Sequence, residues 1–99
     1  MASEHVIRWT DESIRNLEVI LEYLETNWTE KEVNSFKSKL GQLLETIRKF
    51  PTIFPASQAV PRLRKAVLSA QTTVFYEIKG ESINLISLFD TRQDPSKIK

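Results

Sequence analysis

The spacing of apolar residues changes along the chain, and each change marks an element. His5–Trp9 (HVIRW) has the alternation of a short strand and runs straight into Thr10-Asp11-Glu12. Thr10 is a suitable helix N-cap, and Asp11 and Glu12 suit the positive end of a helix dipole. Ile14, Leu17, Leu21 and Leu24 recur at helical spacing, with Ile20 widening the stripe, which predicts a helix over Asp11–Thr26 that ends near Asn27. Trp28 falls in the turn, where a plug between two helices is expected. Thr29-Glu30-Lys31-Glu32 is a capping box, with a hydroxyl at the N-cap and a carboxylate three residues on. Val33, Phe36, Leu40, Leu43, Leu44 and Ile47 form a second stripe as far as Phe50. The short link makes the two helices an antiparallel hairpin. Gly41 lies inside the second helix at a cost of about 1 kcal/mol relative to alanine, so close approach of a neighbouring element is expected there.

Pro51 stops the second helix. Pro51–Pro61 holds three of the four prolines and reads as an ordered surface loop, pinned to the core by Ile53 and Phe54. The period then falls to two over Leu63–Leu68, Thr72–Ile78 and Ser82–Phe89, three strands separated by short turns. Gly80 supplies the positive φ that a tight hairpin needs. The expected fold is a single α+β domain over residues 1–99, in the order β-α-α-β-β-β. A four-stranded, mainly antiparallel sheet packs on the helical hairpin, with the first strand beside the last. Leu17, Leu21, Phe36, Leu40 and Leu44 belong to the core. In the third strand Val74, Tyr76 and Ile78 share one face. In the fourth, Ile83 and Leu85 lie on one face, and Ile86 and Leu88 on the other. One helical hairpin covers one face of a sheet, so the second apolar face is a candidate for contact with another chain.

Composition narrows the chemistry. There is no cysteine, which excludes a disulfide framework, a thiolate metal site and a thiol nucleophile. The N-terminus has no basic segment leading into an apolar run, and no stretch approaches the roughly 20 apolar residues of a membrane span. A cytoplasmic location without membrane contact is expected. Residues 1–50 carry nine acidic and seven basic side chains, and residues 51–99 four acidic and seven basic. The sheet half is thus mildly basic, which permits an acidic or polyanionic partner; a balanced solvated surface accounts for the charges equally well.

Few residues have the makings of a site. His5 is the only histidine and stands apart from every polar cluster, so no Ser-His-Asp or Cys-His arrangement is available and no catalytic residue is assigned. Asp90 and Asp94 lack further ligands at metal spacing, and the two glycines form no phosphate loop, so neither metal nor cofactor is expected. Arg62, Arg64 and Lys65 cluster at the start of the second strand, the two arginines toward one face and Lys65 toward the other. They contact phosphates or acidic side chains of a partner, or they protect a sheet edge. Asp90-Thr91-Arg92-Gln93-Asp94-Pro95 follows the most apolar strand. There Asp90 and Asp94 are read as bonding backbone amides of a closing turn, and Arg92 as binding or pairing with one of them. Tyr76 is expected in the core with its hydroxyl bonded, ahead of the alternative that its ring stacks on a base.

Taken in order, these pieces resemble the RelE/ParE superfamily of type II toxin–antitoxin toxins, closer to the ParE branch. The resemblance spans Val6 to Lys97. It rests on YLETNW (Tyr23–Trp28), FKSKLGQLLETIRKFP (Phe36–Pro51), RKAV (Arg64–Val67), VFYEI (Val74–Ile78) and ISLFDTRQDP (Ile86–Pro95). It implies a toxin of the plasmid-stabilisation type, held in a hetero-oligomer with a cognate antitoxin whose C-terminal segment wraps around it. ParE-type members poison DNA gyrase; RelE-type members cleave mRNA on the ribosome. A degenerate module that binds antitoxin without toxicity is a third possibility. Alignment on Tyr76 places Leu68 where the nuclease branch carries a catalytic arginine, Asp90 falls near the place of its C-terminal histidine, and no tyrosine follows Arg92. The resemblance therefore favours the gyrase branch. It also suggests that an antitoxin segment adds along the edge of the strand starting at Arg62, meeting Arg62, Arg64 and Lys65. Glutamate at Arg62 and Arg64 would then slow association while the fold stays intact.

Overall fold

The computed structural model describes residues 5–93. Strand β1 (Val6–Trp9) leads into helix α1 (Asp11–Asn27) and helix α2 (Glu30–Lys49). Strands β2 (Arg64–Val67), β3 (Thr72–Lys79) and β4 (Ser82–Asp90) follow, and a 3₁₀ turn (Thr91–Gln93) closes the described chain. The sheet order is β1-β4-β3-β2, with β1 parallel to β4 and the other pairs antiparallel. The crossover is the helical hairpin and its loop, which carry the chain from one sheet edge to the other. Both helices start as their sequences require. The Thr10 hydroxyl accepts from Ser13 N at 3.1 Å and that of Thr29 from Glu32 N at 3.2 Å. Gly80 turns the β3–β4 hairpin at φ 59°.

The core lies between one sheet face and the helices. Ile20, Leu24, Phe36, Leu40 and Ile47 meet Ala66, Val74, Tyr76, Ile83, Leu85 and Leu88, with Leu17, Leu21 and Leu44 packed at its margin. The packing stripe of α1 is turned from the expected one: Ser13 is fully buried and Ile14 is exposed. A small side chain suits the first turn, where α1 leaves the sheet and lies close to it.

Strand β4 overturns one expectation. Leu88 does not lie on a second face, because the pairing with β3 slips between Phe75 and Tyr76. Tyr76 faces Leu85, but Phe75 faces Ser87, so β4 carries one extra residue, a β-bulge. The bulge returns Leu88 and Asp90 to the core face of Ile83 and Leu85. Helix α1 satisfies the backbone there. The Thr10 hydroxyl donates to Leu85 O at 2.7 Å and Ile86 O at 3.2 Å, and Asn16 Oδ1 accepts from Leu88 N at 3.0 Å. On the outer face exposed Val67 and Phe89 flank Thr73, which is paired with both, and half-buried Phe75 follows along β3.

Three smaller expectations also fall. Ile53 is 60 % exposed, so of the two expected anchors only Phe54 packs inward, its ring edge-on to Tyr76 with centroids 6.5 Å apart. A Cβ at Gly41 would meet nothing within 4 Å, so nothing approaches closely there. Trp28 is no plug: it is 40 % exposed.

Candidate functional site

The basic cluster at β2 is divided by the fold. Strand pairing begins only at Arg64, so the alternation does not extend back to Arg62. Arg62 reaches across the outer face to Glu77, Nη1 to Oε1 at 2.8 Å, and Glu77 also accepts from Asn84. Arg64 pairs with Tyr76 in the register and turns inward to the loop. Its Nη1 donates to Phe54 O at 2.6 Å and to Thr52 O at 3.4 Å. Tyr76 completes this clamp, its hydroxyl donating to Pro51 O at 2.6 Å. Burial pushes the phenol up to about 12, outweighing the opposing pull of the Arg64 charge. Lys65 alone of the three is exposed with no ion pair among the described residues.

The outer edge of β2 is not open where the resemblance would place an antitoxin strand. Lys65 N donates to Pro55 O at 2.9 Å and Ser57 N to Leu63 O at 2.7 Å, with Ala56 bridged to Arg64. The chain's own loop already pairs with that edge, and Arg64 and Tyr76 hold the loop in place.

A second cluster forms at the far end of β4. The bulge sets Asp90 opposite Thr72 on the core face. Asp90 is 1 % exposed and fully bonded. Its Oδ2 accepts from the Thr72 hydroxyl at 2.5 Å and from Arg92 Nη2 at 2.7 Å, and its Oδ1 from Arg92 N at 2.8 Å and Nε at 3.1 Å. Burial acts to raise the carboxyl's pKa, but the hydrogen bonds from Arg92 and Thr72 outweigh it and hold the group below the usual carboxylate range. The guanidinium stays charged, its pKa raised by the bond to Asp90 against the effect of burial. Arg92 then lies 5.6 Å from the centroid of the Trp28 ring, within cation–π range. The two borders of a hollow of about 260 Å³ are thus joined; Leu24, Phe36 and Leu68 also line it, with Lys39, Glu32 and Gln71.

Of the residues singled out in the sequence, the structure brings Asp90 and Arg92 together, and separately Arg64 and Tyr76. Arg62 and Lys65 stand apart from both pairs, and Asp94 lies outside the described residues. Thr72, Trp28 and Lys39 were missed as members of the second cluster. Thr72 was legible only with the bulge, since unbroken pairing from Gly80 would set it opposite Phe89. Among the described residues no three His, Asp or Glu side chains gather where a metal ion would sit.

The model of a known family, described as the ParE toxin of the type II toxin–antitoxin system parDE, matches residues 7–95. This chain belongs to the ParE toxin family. No curated protein matches it in sequence. Among solved structures, the chromosomal ParDE system from P. aeruginosa is similar with a TM-score of 0.72 and 13 % identity, over 87 % of this chain and 95 % of that one. YafQ from E. coli follows with a TM-score of 0.61 and 9 % identity over 89 % and 94 % of the two chains. The YoeB dimer from Staphylococcus aureus has a TM-score of 0.60 and 12 % identity over 88 % and 97 %. YafQ has also been solved in a DinJ–YafQ complex. At these identities the neighbours share the fold of this ParE-family chain. Among its described residues no helix is long and apolar enough to cross a membrane.

Proposed function

We propose that this chain is the toxin of a two-gene module, silenced in the cytoplasm by a cognate antitoxin, and that it acts as the ParE branch does, by poisoning DNA gyrase. The family match supports the module. The chemistry of the Asp90–Arg92 cluster is the observation that favours gyrase over mRNA cleavage. RNA cleavage through the 2′-hydroxyl needs groups that move protons near neutral pH. Asp90 is an acceptor-only carboxylate closed in by Thr72 and Arg92. Leu68 offers no polar group, and the Tyr76 hydroxyl is committed to Pro51 O. His5 precedes Val6, which pairs with Ser82 at the opposite end of β4. At ~3.3 Å per residue that end is roughly 25 Å from Asp90.

The antitoxin reading draws on the DinJ–YafQ complex, in which a protein of this fold is held by another chain. The route of an extended antitoxin segment differs from the one the sequence suggests. With the β2 edge paired to Pro55–Ser57, β1 is the edge that offers main-chain groups for strand addition.

Expression of the chain alone in bacteria tests the reading. Growth arrest with a DNA-damage response, relieved by co-expressing the neighbouring gene, is the expected result. Codon-phased cuts in translated messages would instead assign the chain to the mRNA-cleaving branch. Tight binding to the neighbouring gene product without arrest would mark a module that has lost its toxicity.

A further inference from the structure

Trp28 borders two hollows. One is the 260 Å³ hollow shared with Arg92; the other, about 250 Å³, is lined by Glu25, Val33, Asn34 and Lys37 among others. The first combines an apolar floor of Leu24, Phe36 and Leu68 with two cations at its rim, Lys39 and Arg92. Lys39 has no ion-pair partner among the described residues. Arg92 is braced from behind by Asp90 through Nε and Nη2, so the guanidinium is fixed before any ligand arrives and Nη1 is left over.

The size and charge of the hollow select its occupant. Its volume is below the range of about 300–1,000 Å³ typical of small-molecule sites, and suits one or two side chains. A nucleic-acid backbone would set successive phosphates against Glu32, which shares the rim, and the cations are too few to offset this. A single carboxylate meets two cations, Lys39 and Arg92, against the one Glu32, so the balance of charge favours it. Tryptophan and arginine are also among the residue types that carry most of the binding energy at protein–protein interfaces.

We propose that this hollow is an anchor pocket for the antitoxin, taking one large apolar side chain on its floor and a neighbouring carboxylate on Lys39 and Arg92. The proposal rests on the antitoxin reading above and adds to it the site and chemistry of the anchor.

The test is calorimetric titration of the parent chain, Lys39→Glu and Trp28→Ala with the purified product of the neighbouring gene. Thermal unfolding checks each variant's fold, and Lys39→Glu, an exposed change, keeps the test decisive if Trp28→Ala is unstable. Trp28→Ala should weaken binding about 30-fold. Lys39→Glu should weaken it about 10-fold at low salt and less at high salt. Changing one acidic residue of the partner to lysine should restore binding to Lys39→Glu. Affinities within about 2-fold of the parent for every folded variant, or no acidic position that rescues Lys39→Glu, would overturn the proposal. So would unchanged affinity with lost growth arrest, which would turn the pocket toward the toxic target. A parent chain that binds no such protein overturns the antitoxin reading itself, so the parent titration separates the two failures.

Discussion

A carboxylate as buried as Asp90 keeps its charge only where donors replace the water it has lost. Thr72 and Arg92 supply four hydrogen bonds, and the net effect is a carboxyl held below its usual range. Because the folded value lies below the unfolded one of about 3.9, the contribution is fully present above about pH 4 and disappears as pH falls through the folded value. Asp90→Asn should therefore cost about 2 kcal/mol at neutral pH, with the difference from the parent shrinking in urea titrations below about pH 4. A difference constant down to pH 3 would show that shape, not charge, matters at this position. The basic residues of β2 separate just as sharply. Arg64 is a clamp on the carbonyls of Thr52 and Phe54, so the Arg62 and Arg64 double replacement should lower stability as well as change the surface charge. Arg64→Glu alone should lower stability by about 2 kcal/mol, whereas Lys65→Glu, on the exposed face, should stay within about 0.5 kcal/mol in the same chemical denaturation. Equal losses for the two would contradict the division seen here.

At the scale of elements, the helices were legible because capping and periodicity agree: Thr10 and Thr29 cap as read, and both stripes reach the core. The strand order was legible from the short hairpin turns and the length of the crossover. The bulge in β4 was not, although its trace was present in the shift of apolar positions from Ile83 and Leu85 to Leu88. That shift fits an apolar second face as well as an inserted residue, and only the supports from Thr10 and Asn16, distant in sequence, decide between them. The loop pairing at Ala56 escaped for a similar reason: a proline-rich segment with one bridging residue has no period to detect. Gly41 was misjudged because a glycine inside a helix signals either close packing or nothing. With open space where its Cβ would be, Gly41→Ala should stabilise the protein by about 0.5–1 kcal/mol. In a domain of this size that is a rise of several degrees in Tm, on the order of 4–8 °C per kcal/mol. A fall in Tm would reveal a neighbour or partner pressed against that face of α2.

For the whole molecule, fold and family were within reach of the sequence, while the site was only partly so. Asp90 and Arg92 stood out as a polar group at a strand end. Their coupling to Thr72 and Trp28 depends on a register and a helix turn that meet only in three dimensions. The same cluster underlies the proposed function: a fixed cation beside an exposed tryptophan suits a surface that binds another protein. The most direct measurement adds the purified chain to purified DNA gyrase and follows supercoiling and the accumulation of cleaved DNA held by the enzyme. The account predicts that supercoiling stops and cleaved complexes build up as the chain approaches the enzyme's concentration, and that added antitoxin reverses both. Gyrase that runs unimpeded, with the same preparation cutting messages on translating ribosomes, would contradict it.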